Sequence, residues 1–186
     1  MSAGMTVTPA LAEEANDTDE AAAAEEGTTL RILRQKQFLD FAENCRLDSY
    51  SRNLSVVLLT DIDLTGVDFA GIPIFCGNFD GNGHTVSGLS ITQDGSNMGL
   101  FRYVDASALI QNLTVSGEII PDGSRSAVGG IAGHNAGKIQ NCFFDGTVSG
   151  SDDVGGIAGI NAITGIIDGC HSKGVFTLSL IHISEP

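Results

Sequence analysis

The chain has 186 residues and a formal net charge of −14, a length that suits about one domain with a sizeable core. That charge excludes nucleic acid and anionic membrane surfaces as natural partners, because both are met with Lys and Arg. With 24 Gly, no Trp and 6% aromatic residues, the composition speaks against a helical enzyme core and for many tight turns.

Residues 1–12, MSAGMTVTPALA, end in Ala10-Leu11-Ala12, the small-x-small pattern at which a secretory signal is cut. The basic n-region and a full apolar core are missing, so we take 1–12 as a signal-peptide remnant whose true start lies upstream. Export is therefore expected. Residues 13–29 follow as a disordered acidic linker, since seven of the 23 acids fall between Glu13 and Glu26 with no base among them. No stretch approaches the roughly 20 apolar residues of a membrane span.

In RQKQFLDFAENCRLDSY, Phe38, Phe41, Ala42 and Cys45 stand at i, i+3, i+4 and i+7, one apolar stripe that predicts a short amphipathic helix. LSVVLLT then has the β-branched and apolar make-up of a buried strand, which DIDLTG closes with turn residues. No second long helix is expected.

From Met98 onward the chain repeats itself with a period of 26 to 30 residues, over about 98–126, 127–152 and 153–177. Ile110, Ile139 and Ile167 correspond, as do Leu113, Cys142 and Cys170, then Gly117, Gly146 and Gly174, then Ile119, Val148 and Phe176. A unit this short cannot bury its apolar side alone, so copies must stack. Strand-like units stacked in parallel about 4.8 Å apart make a β-helix, an all-β solenoid.

Within each copy the two inward residues Ile139 and Cys142 are three apart, which a straight strand would send to opposite faces. A corner must lie between them. Asn112, Asn141 and Gly169 hold the position before the second apolar residue, and these residue types enter the left-handed region most readily. The remaining structural positions are Gly129, Gly130 and Gly133 with their counterparts Gly155, Gly156 and Gly159 in the GGIAG segments. The Gly pairs there permit a bend or close backbone approach between Val128 and Ile131, and between Val154 and Ile157. No phosphate loop is implied, since GxGxxG and GxxxxGK[ST] are both absent.

VGGIAGHNAGKIQNC and VGGIAGINAITGIIDGC resemble the GLUG motif of exported bacterial surface proteins, large adhesins and immunoglobulin A peptidases. LLTDIDLTG, FDGNGHTVSGLSI and MGLFRYV resemble the coils that precede such repeats, which extends the likeness over about residues 30–177. The resemblance implies a right-handed parallel β-helix whose N-terminal helix covers the open end. The first copy departs in reading MGLF for VGGI, and the last carries two extra residues, Ile163 and Thr164.

Candidate sites weigh toward structural roles. Cys142 and Cys170 should be neighbours on adjacent rungs, either as a disulfide in an exported protein or as small buried hydrophobes; Cys45 and Cys76 lie outside the pair. Asp61 with Asp63, Asp80 and Asp152 with Asp153 are oxygen donors, yet beside Gly and Thr they suit turns better than a cation site. His84 lacks an assigned partner, and His171 should be exposed beside Phe143 and Thr114. Asp145 and Lys173 should pair across rungs. Asn53-Leu54-Ser55 and Asn112-Leu113-Thr114 match glycosylation sequons, with Asn112 better explained as a corner. No metal or cofactor is expected, and no catalytic constellation emerges.

The expected function is a non-enzymatic, exported β-helix segment of a larger bacterial surface protein, secreted or at the cell surface, acting as an adhesive surface or spacer. Its expected partners are glycans or proteins of a host or cell surface. The alternatives are a polysaccharide lyase or glycosidase on the same fold, or a non-catalytic region of a surface peptidase. Residues 178–186, LSLIHISEP, back-translate to a sequence resembling a transposon-end adapter used in sequencing libraries. They are expected not to be native, leaving the solenoid's last edge unpaired and prone to association.

Overall fold

In the computed structural model, residues 28–122 and 126–178 are described. The signal remnant, all but Thr28 and Thr29 of the acidic linker, and all but Leu178 of the tail lie outside them. The described chain opens with β1 (Thr29–Ile32) and α1 (Gln35–Asn44), then winds through β2 (Ser55–Leu58), β3 (Ile62–Asp63) and β4 (Ile72–Phe75). The next turn is β5 (Asn78–Asp80), β6 (Thr85–Ile91) and β7 (Phe101–Val104). Two turns of four strands follow: β8 (Leu109–Gln111), β9 (Thr114–Ile119), β10 (Ser126–Gly129) and β11 (Ala132–Asn135), then β12 (Lys138–Gln140), β13 (Phe143–Gly150), β14 (Asp152–Gly155) and β15 (Ala158–Asn161). The last begins with β16 (Ile166–Asp168) and β17 (His171–Leu178).

Every strand pairing is parallel, and each joins a strand to its counterpart one coil away, so the chain is a parallel β-solenoid of about five turns. Three long ladders run along it: β1-β2-β5-β8-β12-β16, β3-β6-β9-β13-β17 and β4-β7-β11-β15, with a fourth, β10-β14, beginning where the coil lengthens. The register carries the repeat columns into space. Ile110, Ile139 and Ile167 pair in sequence, as do Ile119, Val148 and Phe176. DIDLTG is only in part a turn. Ile62 and Asp63 pair with Val86 and Ser87 and found the second ladder, because Ile62 is apolar enough to join the core.

A core of Ile, Leu, Val and Phe runs up the axis, each fully buried Leu, Ile or Phe stabilising the fold by about 1.5–3 kcal/mol. One inner column changes chemistry along its length: Phe75, Val104, Asn135, Asn161. Asn135 is fully buried, and its Nδ2 donates to Asn161 Oδ1 at 2.7 Å. Asn161 Nδ2 donates in turn to the Gly165 carbonyl at 2.9 Å. Stacking identical amides one rung apart gives the buried Asn135 Nδ2 its partner, while Asn135 Oδ1 is left without a hydrogen-bond partner among the described residues.

Between the first and second ladders of each repeat, Asn112, Asn141 and Gly169 have φ of 53°, 51° and 60°. Leu113 and Cys142, which follow Asn112 and Asn141, are buried. A second column of left-handed corners stands before the third ladder, at Asn97, Ala127 and Asp153, with φ of 56°, 59° and 53°. The Gly pairs work by close approach. A Cβ on Gly130 would collide with the Phe144 ring and the Gly156 carbonyl, and one on Gly133 with the main chain of Asn97. At Asn141, an Asn141→Ala chain should lose about 1 kcal/mol, since alanine pays the left-handed cost. Asn141→Gly should lose less, and the two denaturant midpoints check the ordering.

Helix α1 closes one end. Phe38, Phe41, Ala42 and Cys45 are all buried, and Phe41 lies against Phe75 and Phe79, each at 5.9 Å between ring centroids. The coil at the other end is open among the described residues. Ile167 and Phe176 remain exposed there, although their register counterparts, Ile110 and Ile139 for the first and Ile119 and Val148 for the second, are buried one or two rungs away.

Candidate interaction surface

Solenoid winding turns each alternate residue outward and aligns it with its counterpart on the next rung. On the first ladder this builds an amide column. Gln140 Nε2 donates to Gln111 Oε1 at 2.7 Å, Gln111 Nε2 donates to Asp80 Oδ2 at 3.2 Å, and Asn112 Nδ2 donates to Asp80 Oδ1 at 3.0 Å. On the second ladder Thr85, Thr114, Phe143 and His171 form one column. Beside it Lys173 Nζ stands 3.8 Å from Asp145 Oδ2, an exposed pair worth about 0–1 kcal/mol. On the third ladder the rings of Tyr103 and His134 stack at 4.8 Å and 13°, between Ile74 and Ile160 in the same column.

Of the acids weighed above as cation ligands, Asp61, Asp63 and Asp80 bond to neighbouring protein groups, and Asp152 accepts the Ser151 hydroxyl at 3.2 Å. Asp61 accepts the Thr85 N–H at 2.9 Å and faces His84 Nδ1 at 3.1 Å. Asp63 accepts the Thr65 N–H and hydroxyl at 2.9 and 2.6 Å, and Asp80 also accepts the Asn82 N–H at 2.8 Å. Among the described residues no cluster of three His, Cys, Asp or Glu is arranged to hold a metal. Asp61 and Asp63 therefore serve the winding at a corner and a turn. Between α1 and the third ladder lies an open groove of about 780 Å3 that touches Asp40, Glu43, Arg46, Asp68, Gln93 and Arg102. Its charges are satisfied internally: Asp40 by Lys36 at 2.7 Å, Glu43 by Arg46 at 2.8 Å, Asp68 by Gln93 at 2.5 Å, and Arg102 by the Ser96 carbonyl at 3.1 Å.

Three carboxyls are held below their ordinary range. The Thr85 N–H, then His84, lower Asp61; the Thr65 hydroxyl and N–H lower Asp63; the Ser107 N–H and hydroxyl lower Asp105. A group depressed by folding adds stability above its unfolded value, near 3.9 for Asp, and that stability is lost as pH falls through the folded value. Thermal scans should therefore be flat from about pH 7 to 5 and fall below about pH 4. An Asp105→Asn chain should show a shallower fall.

The sequence-level columns meet as expected in the register, but three features went unforeseen. The Tyr103–His134 stack was legible only as Tyr103 in MGLFRYV and His134 in GGIAGHN at matching positions. The Asn135–Asn161 ladder was signalled by Asn recurring in HNAG and INAI. The third, the second corner column, had no such signal, since Ala127 and Asp153 do not announce a left-handed turn.

A helix-ended parallel β-solenoid whose coils repeat in sequence defines the class: a β-helical repeat protein. Residues 124–149 match the family described as the GLUG motif, and the chain is a GLUG-repeat protein. It is similar to halomucin of Haloquadratum walsbyi, 30% identical over 146 residues that cover 73% of this chain and 2% of halomucin. It is also similar to a Gly-rich membrane protein of Evansella cellulosilytica, 34% identical over 96 residues covering 45% of this chain and 11% of that protein. The chain thus spans a small fraction of the curated relatives it matches. No solved structure matches it. Among the described residues no helix is long and apolar enough to cross a membrane.

Proposed function

We propose that this chain is a non-enzymatic, extracellular segment of a longer bacterial surface protein, and that its aligned outer columns form an adhesive surface for glycans or proteins of a host or cell surface. The observation that carries this reading is the direction of the polar contacts. Gln140, Gln111 and Asp80 bond to one another along the solenoid axis, which makes a flat, extended face. Catalysis on a glycan would need acids converging on one point, whereas Asp61, Asp63 and Asp80 are each engaged by neighbouring groups. The GLUG match and a relative named as a membrane protein support surface placement.

Immobilised chain tested against surface glycans and matrix proteins supplies the test, with polysaccharide products followed in parallel. Saturable binding weakened by Tyr103→Ala supports the adhesive reading. A folded chain that binds none of them is a spacer, and release of cleaved polysaccharide overturns both in favour of an enzyme.

A further inference from the structure

Cys142 and Cys170 continue the column of Leu113 as two thiols on successive rungs, Cys142 within the core and Cys170 packed against it. They stand one rung apart, directly before the paired residues Phe143 and His171. Neighbouring strands lie about 4.8 Å apart, inside the Cα separation that a disulfide spans. The Cys142 N–H donates to Cys170 Sγ at 3.4 Å, so the Cys170 sulfur lies over the main chain of the rung below its own. Cys170 Sγ is also 3.5 Å from the Ile139 carbonyl of that lower rung. Both thiols are free.

We propose that Cys142 and Cys170 are a redox staple, closing into a disulfide between adjacent coils when a small-molecule disulfide oxidant reaches the partly exposed Cys170. The two thiols are not equivalent. The hydrogen bond from the Cys142 thiol holds Cys170 below the ordinary thiol value, while that same bond and then burial push Cys142 up. Cys170 is also partly exposed where Cys142 is buried, so Cys170 is the attacking thiolate and Cys142 the resolving thiol. Cys170 attacks one sulfur of oxidised glutathione, forming a mixed disulfide and releasing one glutathione thiolate, which takes up a proton. Cys142 loses its proton to solvent and attacks the Cys170 sulfur, expelling the second glutathione. Two cysteine thiols are oxidised and one glutathione disulfide is reduced to two thiols. Cys45 and Cys76 supply an internal reference, both pushed up by burial, Cys45 to about 12.

The test incubates the whole folded chain with oxidised glutathione, blocks free thiols after denaturation, and maps the peptides by mass. The expected result is a fall from four free thiols per chain to two, with a peptide pair joining Cys142 to Cys170 and with Cys45 and Cys76 still free. In Cys142→Ser the glutathione adduct on Cys170 should persist, because nothing resolves it. Four free thiols after treatment, a lasting adduct on Cys170 in the parent chain, or a Cys170–Cys170 link between chains would each overturn the proposal. The parent-chain map decides the matter even where the serine variant does not fold.

Discussion

A Gly146→Ala chain is expected to lose about 3 kcal/mol or more of unfolding free energy, a large effect for one added methyl. Gly117, Gly146 and Gly174 lie in register on the second ladder. A Cβ on Gly146 would collide with the Gly117 carbonyl oxygen, one on Gly174 with the Gly146 carbonyl, and one on Gly117 with the Leu89 carbonyl. The obstacle is main chain in the coil below, which has no rotamer to change. Relief requires separating two rungs and with them the pairings on either side. Where the column reaches the second coil, the register shifts between Val86 and Leu89, with Gly88 at φ 68° between them, and Leu89 turns its side chain into the core. Chemical denaturation of Gly146→Ala beside Thr147→Ala checks the claim, with the outward threonine variant expected within about 0.5 kcal/mol of the parent.

Phe79→Ala should cost about 3–5 kcal/mol by leaving a cavity that its neighbours cannot fill. Phe79 is fully buried, with ring centroids 5.3 Å from Phe101, 5.9 Å from Phe41 and 6.1 Å from Phe75. Phe41 belongs to α1, whereas Phe75 and Phe101 belong to two successive rungs of the third ladder, so one ring ties the terminal helix to two coils. Hydrogen exchange should show α1 amides losing protection in this variant before those of β12 and β13. Equal loss throughout would mean that the helix is not anchored through Phe79.

The solenoid and its short helix were legible because their signals are local or repeated, whereas the helix's place at the open end was implied by the family resemblance. Phe38, Phe41, Ala42 and Cys45 mark a helix face within about two turns, and Ile110, Ile139 and Ile167 mark one column through three copies. Asn112 and Asn141 gave their corner away because asparagine tolerates the left-handed region. What stayed hidden depends on neighbours far along the chain. Gly117, Gly146 and Gly174 align in sequence, yet the carbonyl that forbids a side chain there belongs to another coil. Ile62-Asp63 was too short a strand to stand out from its turn residues. The outer faces were legible only as residue types. Whether Asp80 would face a cation or the amides of Gln111 and Asn112 was decided by the register between coils.

Because every strand lies across the long axis, a pull along that axis loads the ladders in a peeling geometry, where hydrogen bonds part a few at a time. Ile139 and Ile167 mark successive rungs 28 residues apart, so each released coil would add roughly 100 Å of extended chain at about 3.5 Å per residue. Under tension the molecule would behave as a stack of similar extensible links that lengthens by steps.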